Sequence, residues 1–506
     1  MGSQLKPLLV ALVLAIVVCA IAKPSFSGLM GEEAFVRRRN TWLALTVASF
    51  MTPSFWLYVA LAVVIIAFAS RKEQNPAALY VFLLLAVPPL RYEIPSVMPL
   101  DHLRLLSLLI LAPLAFRLWG SSGNVTPARV GPGWNVTDAL VIAYAAMIFS
   151  GALVSVTIAM REVVVLMVDV LLPYFVLSRA VRNRADLVDV MTSFVLAALI
   201  LAPLAVFEFG TRWLLFSGIE DRWGDTRTFF YLIRGMFLRA QTTTGHSIVL
   251  GYVMVVSLAL WLSLRLRLSS RTLAWAGVGM LIVGLIVTLA KGSWVAAGAM
   301  LVVYLLTGPR AASRTLKGGA AVGVLFVGIL MSPWADNVID ALPFVGTLDE
   351  GSVTYRAQLA EMSWAIIKEN PWFGSSGYLA RMEELRTGEG IIDIVNTYAA
   401  IALSYGLVGL TAYVGMFVTA AWKCRSAVRR ISAVDEQFAL EGASLVALIV
   451  ATLAAIATVS NYLSIPYISL AFTGLAVAYA RLVAEPLDHV SREVWTVPAR
   501  GRPGAP

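Results

Sequence analysis

The chain has 506 residues, 59% of them hydrophobic and 14% charged, with a mean hydropathy of +0.80; soluble domains carry roughly a quarter charged residues, so a water-soluble multidomain protein is excluded. Cys19 and Cys424 lie in or beside separate apolar runs, which excludes a disulfide scaffold, and His102, His246 and His489 are too scattered for a zinc or haem centre. The net charge of +9 resides in short connectors between apolar runs, a pattern of membrane topology and not of nucleic-acid binding.

A bilayer core of roughly 30 Å needs about 20 apolar helical residues. Runs of this kind recur near 5–22, 41–69, 77–90, 102–118, 137–157, 161–178, 188–208, 246–264, 272–290, 294–307, 318–332, 395–421, 441–460 and 464–483. The expected fold is all-α, a polytopic membrane helix bundle of about 12–14 transmembrane helices; the alternating ten-residue segments of a membrane barrel are absent. The first run follows Lys6 and has no clear cleavage site, so it is read as a helix. The run at 41–69 is interrupted by Pro53 and is either a broken helix or a hairpin; Arg37, Arg38 and Arg39 before it fall outside if the first run simply exits.

After residue 70, alternate threading puts four basic connectors on one side: Arg179, Arg182 and Arg184; Arg265, Arg267 and Arg271; Arg310, Arg314 and Lys317; Lys423, Arg425, Arg429 and Arg430. That side is expected to be cytoplasmic. Asn124 and Asn135 open Asn-x-Thr sequons on the same side and are read as chance. No repeat relates the two halves, which weighs against inverted-repeat transporters.

On the opposite side two connectors exceed the length of a turn, 210–245 and 333–394. Both hold aromatic and apolar residues, and long loops of that kind are usually functional. Tyr355 to Ile367 has helical spacing, with Leu359, Met362, Trp364, Ile366 and Ile367 apolar, and the Asn370-Pro371 step is expected to end that helix. The chain then divides into N-terminal helices (1–209), a core with both loops (210–421), C-terminal helices (422–484) and a cytoplasmic tail (485–506).

Three stretches carry candidate chemistry. Arg234-Gly-Met-Phe-Leu-Arg239-Ala-Gln-Thr-Thr-Thr-Gly245-His246 sets two arginines before an apolar helix, which suits phosphate because guanidinium forks match its oxygens and a helix start offers N–H groups. Arginines snorkelling to lipid headgroups are the bland alternative. Lys291, in Thr288-Leu-Ala-Lys291-Gly-Ser-Trp294, lies in a tight hairpin on the outer side; a cation near membrane depth is costly and often functional, though it can also be a plain interfacial lysine. The second loop supplies Arg356, which can equally pair with a neighbouring Glu, and Asp393, which can equally cap the helix beginning near Asn396.

The order of Arg-x4-Arg before a helix, a Lys-Gly hairpin, Tyr355-Arg356 opening an external helix, Pro371-x-Phe-Gly374, and Asn396-x-Tyr398 followed by Gly406-Leu-x-Gly409-Leu resembles the O-antigen ligase and O-antigen polymerase family. The resemblance is strongest from about 230 to 420. It implies a metal-independent, inverting glycosyltransferase with no cofactor, which moves a glycan from a polyprenyl diphosphate carrier to a sugar hydroxyl at the outer face of a bacterial inner membrane. It also implies membrane lipid as surroundings, a flippase and a chain-length regulator as possible assembly partners, and no nucleic acid. By motif, Arg234, Arg239, Lys291 and Arg356 are expected to bind the diphosphate, and Asn396 and Tyr398 to orient the acceptor. Val395 stands where the family has His, so the usual acceptor-activating imidazole is missing and Asp393 is the nearest ionisable substitute. This favours polymerase slightly over ligase. The competing readings are a lipid-linked oligosaccharide flippase or anion transporter, kept alive by Asp169 within an apolar run, and a structural subunit of an export complex.

Overall fold

The computed structural model describes residues 2–94, 98–120, 134–223, 229–330, 350–386 and 392–484. Strand occurs there only as two hairpin pairs of two residues each, Tyr92–Glu93 with Pro99–Leu100 and Ile233–Arg234 with Phe237–Leu238. The rest is a helical membrane bundle. Among the described residues, eight helices are long and apolar enough to cross a bilayer, and four more apolar helices are shorter.

The run at 41–69 resolves into a hairpin. Helix α1 (Gly2–Met30) is followed by α2 (Glu32–Met51) and α3 (Phe55–Arg71), with the break at Thr52–Ser54 around Pro53. The side chain of Gln4 lies against Gly218 in the first long loop, so α1 starts at the outer-loop end and finishes at the other. Arg37, Arg38 and Arg39 therefore lie at the end that carries the basic connectors; Arg38 is fully buried and bonds Glu73 (2.8 Å) and Asp189 (2.9 Å), close to the Arg184 connector.

The run at 77–90 is not a bilayer-length helix. Helix α4 (Pro76–Leu83) has eight residues, stops ahead of Pro88 and Pro89, and is buried on every side; proline disfavours the helical conformation at the residue before it. Next come α5 (His102–Trp119), α6 (Val136–Gly151), α7 (Val156–Ala180) and α8 (Arg184–Thr211). Helices α5 and α7 each contain one π-helical turn, at Ser107–Leu111 and Met167–Leu171. The first loop holds the short α9 (Ser217–Trp223), whose Arg222 donates to the carbonyls of Ser49, Phe50 and Thr52 at the end of α2, where the helix dipole favours a cation.

Helices α10 (Ser247–Leu264), α11 (Arg271–Ile286), α12 (Lys291–Thr307) and α13 (Ala311–Leu330) complete the middle. The external helix α14 (Glu350–Glu369) is longer than the 355–367 spacing indicates and ends at the Asn370-Pro371 step as expected. Helices α15 (Thr397–Ile431), α16 (Glu436–Ile456) and α17 (Ile465–Ala484) close the bundle. The most enclosed members are α8, α10, α16 and α17, while α1 is the least covered of the long helices.

The four basic connectors meet at one end. Arg184 reaches Asp435 (2.5 Å) and the buried Glu441 (3.1 Å), Arg267 joins the same Glu441 (2.6 Å), Arg310 pairs with Glu436 (3.1 Å), and Arg425 donates to Thr307 (3.2 Å). The two long loops emerge at the opposite end.

Candidate functional site

The first loop returns to the bundle through the 233–238 hairpin, whose tight turn uses Gly235 at φ +61°, a conformation glycine adopts without a Cβ penalty. Its two arginines lie on the turn between α11 and α12. Arg234 Nη1 donates to the Leu289 carbonyl (2.5 Å), Arg239 Nε to that of Thr288 (3.2 Å), and the Ala240 N–H to that of Val287 (3.2 Å). These are three consecutive carbonyls past the end of α11, the groups a helix terminus leaves without intrahelical partners. Leu289 holds φ +48°, an uncommon conformation for a non-glycine residue. Lys291 is the first residue of α12, is half-buried, and follows an N-cap, Ala290, that offers no side-chain acceptor.

The loop is anchored from below by Glu208, which is fully buried near the end of α8. Its carboxylate accepts the N–H groups of Leu215 (3.0 Å), Gln241 (2.9 Å) and Thr242 (2.9 Å), so one side chain ties both ends of the loop.

The α12 start packs on the connector between α16 and α17. A Cβ on Gly292 would overlap Thr458 Oγ1, so the Lys-Gly pair is a close-approach requirement. From the other side of this connector come the residues before α15. Ser460 Oγ donates to Asp393 Oδ1 (2.7 Å) and approaches the Ile394 carbonyl (3.0 Å), and Thr397 Oγ1 donates to the Val459 carbonyl (2.7 Å). Asn396, not Asp393, caps α15: its Oδ1 accepts from Tyr398 N (2.9 Å) and Ala399 N (3.2 Å). The Tyr398 hydroxyl donates to the Leu453 carbonyl (2.6 Å). Asp393 itself is exposed.

Tyr462 joins the two halves. It feels both the negative charge of Asp393 and the positive charge of Arg239, and its hydroxyl is pushed up, first by burial. Its ring meets His246 edge-on at 5.5 Å. His246 caps α10 by accepting the Ile248 N–H at Nδ1 (3.2 Å), which leaves the proton of a neutral ring on Nε2. Burial, and then the nearby Arg239 charge, lower its pKa to about 3, so the ring is neutral at ordinary pH.

Helix α14 rests on this end of the bundle through Leu359 and Ile366, which pack with Met382, Leu385, Ile394 and Leu403. Met362 and Ile367 also join, whereas Trp364 is exposed. The Tyr355 hydroxyl donates to the Asp393 carbonyl (2.9 Å), which fixes the helix start beside the site. Beyond the helix, the Pro371–Gly374 segment docks into a break in α15. Gly406 holds φ +65° and ψ −167°, and a Cβ there would overlap the backbone of Trp372 and Phe373, while one on Gly374 would lie 2.5 Å from the Leu403 carbonyl. Ser375 N donates to that carbonyl (2.8 Å) and Leu407 N to Pro371 O (2.7 Å).

The structure thus brings Arg234, Arg239 and Lys291 onto one turn, and Asp393, Asn396 and Tyr398 onto the adjoining one. Arg356 follows Tyr355 on α14, is exposed, and makes no ion pair or hydrogen bond among the described residues. His246, Tyr462, Ser460, Thr458 and Glu208 were not singled out from the sequence. The only signal for the connector was a polar run from Thr458 to Ser464 between two apolar stretches. Asp169 is held by Arg104 (2.7 Å) and accepts the Tyr467 hydroxyl (2.5 Å).

Residues 276–414 match the family model described as O-antigen ligase. The matched stretch contains Lys291, Arg356, Asp393, Asn396 and Tyr398, the Pro371–Gly374 segment and Gly406; Arg234 and Arg239 precede it. No curated protein matches the chain.

Proposed function

We propose, from the O-antigen ligase-type segment that this multi-pass membrane protein carries at residues 276–414, that the chain is an inverting, metal-independent glycosyltransferase. Its donor is a glycan on a polyprenyl diphosphate, its acceptor a sugar hydroxyl, and polymerisation is slightly favoured over ligation to a lipid core. The site faces the periplasm of a bacterial inner membrane. A flippase and a chain-length regulator would work beside it.

The observation that carries this reading is the convergence of Arg234 and Arg239 on the turn that presents Lys291. Transfer breaks the sugar C1–O bond to phosphate, and the electron pair leaves with the diphosphate. Fixed cations in a water-poor site stabilise that charge; one preorganised donor is worth roughly 2.7–4 kcal/mol in comparable oxyanion sites. The start of α12 adds main-chain N–H groups beside Lys291. Arg356 is assigned to the same diphosphate from the exposed face of α14, approaching once the donor is bound.

The acceptor oxygen forms the new bond to C1 from the opposite face while its proton passes to Asp393. General-base assistance of this kind contributes about 10²–10⁴-fold. Ser460, by donating to Asp393 Oδ1, orients the carboxylate. Asn396 and Tyr398 hold the α15 start in place and present the acceptor.

The test uses full-length protein in proteoliposomes with a lipid diphosphate-linked glycan. Arg234→Ala, Arg239→Ala and Lys291→Ala each lower transfer at least tenfold, and Asp393→Asn lowers it as well. Unchanged transfer in all of the cation variants overturns the assignment. In cells, deletion that stops surface glycan at one repeat unit means polymerase; accumulation of long unattached lipid-linked chains means ligase. A flippase or anion transporter would instead move its cargo with no bond cleaved.

A further inference from the structure

At the end of the bundle away from the long loops lies a cavity of about 420 Å³ between α6, α7, α15 and α17. It is separated from the candidate site by most of α15, roughly 40 Å of helix. Arg179, Lys423, Arg430 and Arg481 line it together with Ser426 and Trp422, and no Asp or Glu is among its lining residues within the described part of the chain. Three of these cations are held in place by their neighbours. Arg179 is fixed from behind by the buried Asp138 (2.9 Å) and lies over the Phe175 ring (4.6 Å). Lys423 Nζ donates to Asn135 Oδ1 (2.8 Å), and Arg481 Nη2 to the Val181 carbonyl (2.5 Å). Arg430 is exposed at the mouth.

Trp422 lines this concavity, and Trp134 directly precedes Asn135 of its lining. Trp422 and Trp134 are 74% and 73% exposed, although the first lies within α15 and the second just before α6. Exposed indoles at that level belong to the headgroup region of a bilayer, where an amphipathic ring is at home. Val477, Ala480 and Val483 supply an apolar wall on α17.

We infer that this cavity is a binding site for the phosphate headgroup of an anionic membrane lipid. Basic pockets between membrane helices recognise such headgroups by charge and by guanidinium–phosphate geometry. A lipid held there bridges α6, α7, α15 and α17, which otherwise carry converging like charges. The inference is independent of the reaction assigned to the other end.

The full-length protein is placed in nanodiscs of phosphatidylcholine, with and without phosphatidylglycerol, and lipid retained after detergent exchange is counted by native mass spectrometry. Wild type retains phosphatidylglycerol selectively, and so does Arg271→Gln, a basic residue of the same end outside the cavity. Arg430→Gln lowers retention about fivefold, the effect of roughly one basic charge near an anionic surface, and Arg430→Gln with Lys423→Gln lowers it further. Equal retention by wild type and Arg430→Gln overturns the inference. So does a rise in melting temperature in pure phosphatidylcholine on adding inorganic phosphate that equals the rise given by phosphatidylglycerol, since the ligand is then a soluble phosphate.

Discussion

Glu208 offers the sharpest test of how the candidate site is held. Its carboxylate is fully buried and accepts three backbone N–H groups, at 3.0, 2.9 and 2.9 Å. Leu215 opens the first loop, and Gln241 with Thr242 closes it. Glu208→Ala leaves all three donors without their acceptor. A buried N–H stripped of its partner costs about 1–3 kcal/mol; with water reaching part of the gap at the bundle end, the sum is about 3–6 kcal/mol. That exceeds what a surface loop ordinarily has in local stability, while the helices beneath keep their own packing. The loop therefore detaches without the bundle unfolding, and Arg234 and Arg239 lose their register on the 287–289 carbonyls. Transfer falls at least about 100-fold, and protease cleaves within 211–241 although helical content and membrane insertion are unchanged. Glu208→Gln is intermediate: its single oxygen still accepts from Gln241 and Thr242, its amide faces Leu215 N–H, and the loss is about 1–3 kcal/mol. A Glu208→Ala protein with wild-type transfer and an intact loop would refute this reasoning.

Gly406→Ala places a side chain in a conformation nearly reserved for glycine, at about 1–3 kcal/mol, and against the Trp372 carbonyl. The Pro371–Gly374 segment should undock and the melting temperature fall, whereas Gly298→Ala, with open space around it, should be neutral or slightly stabilising. His246 has a folded pKa of about 3, below its unfolded value. Its contribution is therefore full above about pH 6.5 and is lost as pH falls towards 3; His246→Asn keeps the cap and does not titrate, so melting temperature measured from pH 7 to 4 should decline less steeply than in wild type. An unchanged slope would contradict the burial assigned to that ring. Arg239→Lys retains charge but not the fork that reaches Thr288 and a phosphate together, and should reduce transfer about tenfold, mainly through KM for the lipid donor.

Local properties made a large part of this protein legible in its amino-acid order. Apolar run length gives a helical membrane bundle whatever the neighbours are, because each backbone group in lipid must be satisfied within its own helix. The gathering of the basic connectors at one end is legible for a related reason: it follows from the spacing of the apolar runs between them and not from any tertiary contact. The Asn370-Pro371 stop and the turn at Gly235 are likewise local. Tertiary structure decided what depends on partners far along the chain. The stretch 77–90 looks like a span, but its apolar residues are buried by protein on all sides and only Pro76–Leu83 is helical. Asp393 and Asn396 are equally plausible caps by residue type; the position of Ser460 draws Asp393 aside and leaves Asn396 to cap α15. The meeting of His246 with Tyr462, of Gly292 with Thr458, and of Gly374 with Gly406 has no periodicity to announce it, because packing selects these pairs by shape after the helices have formed.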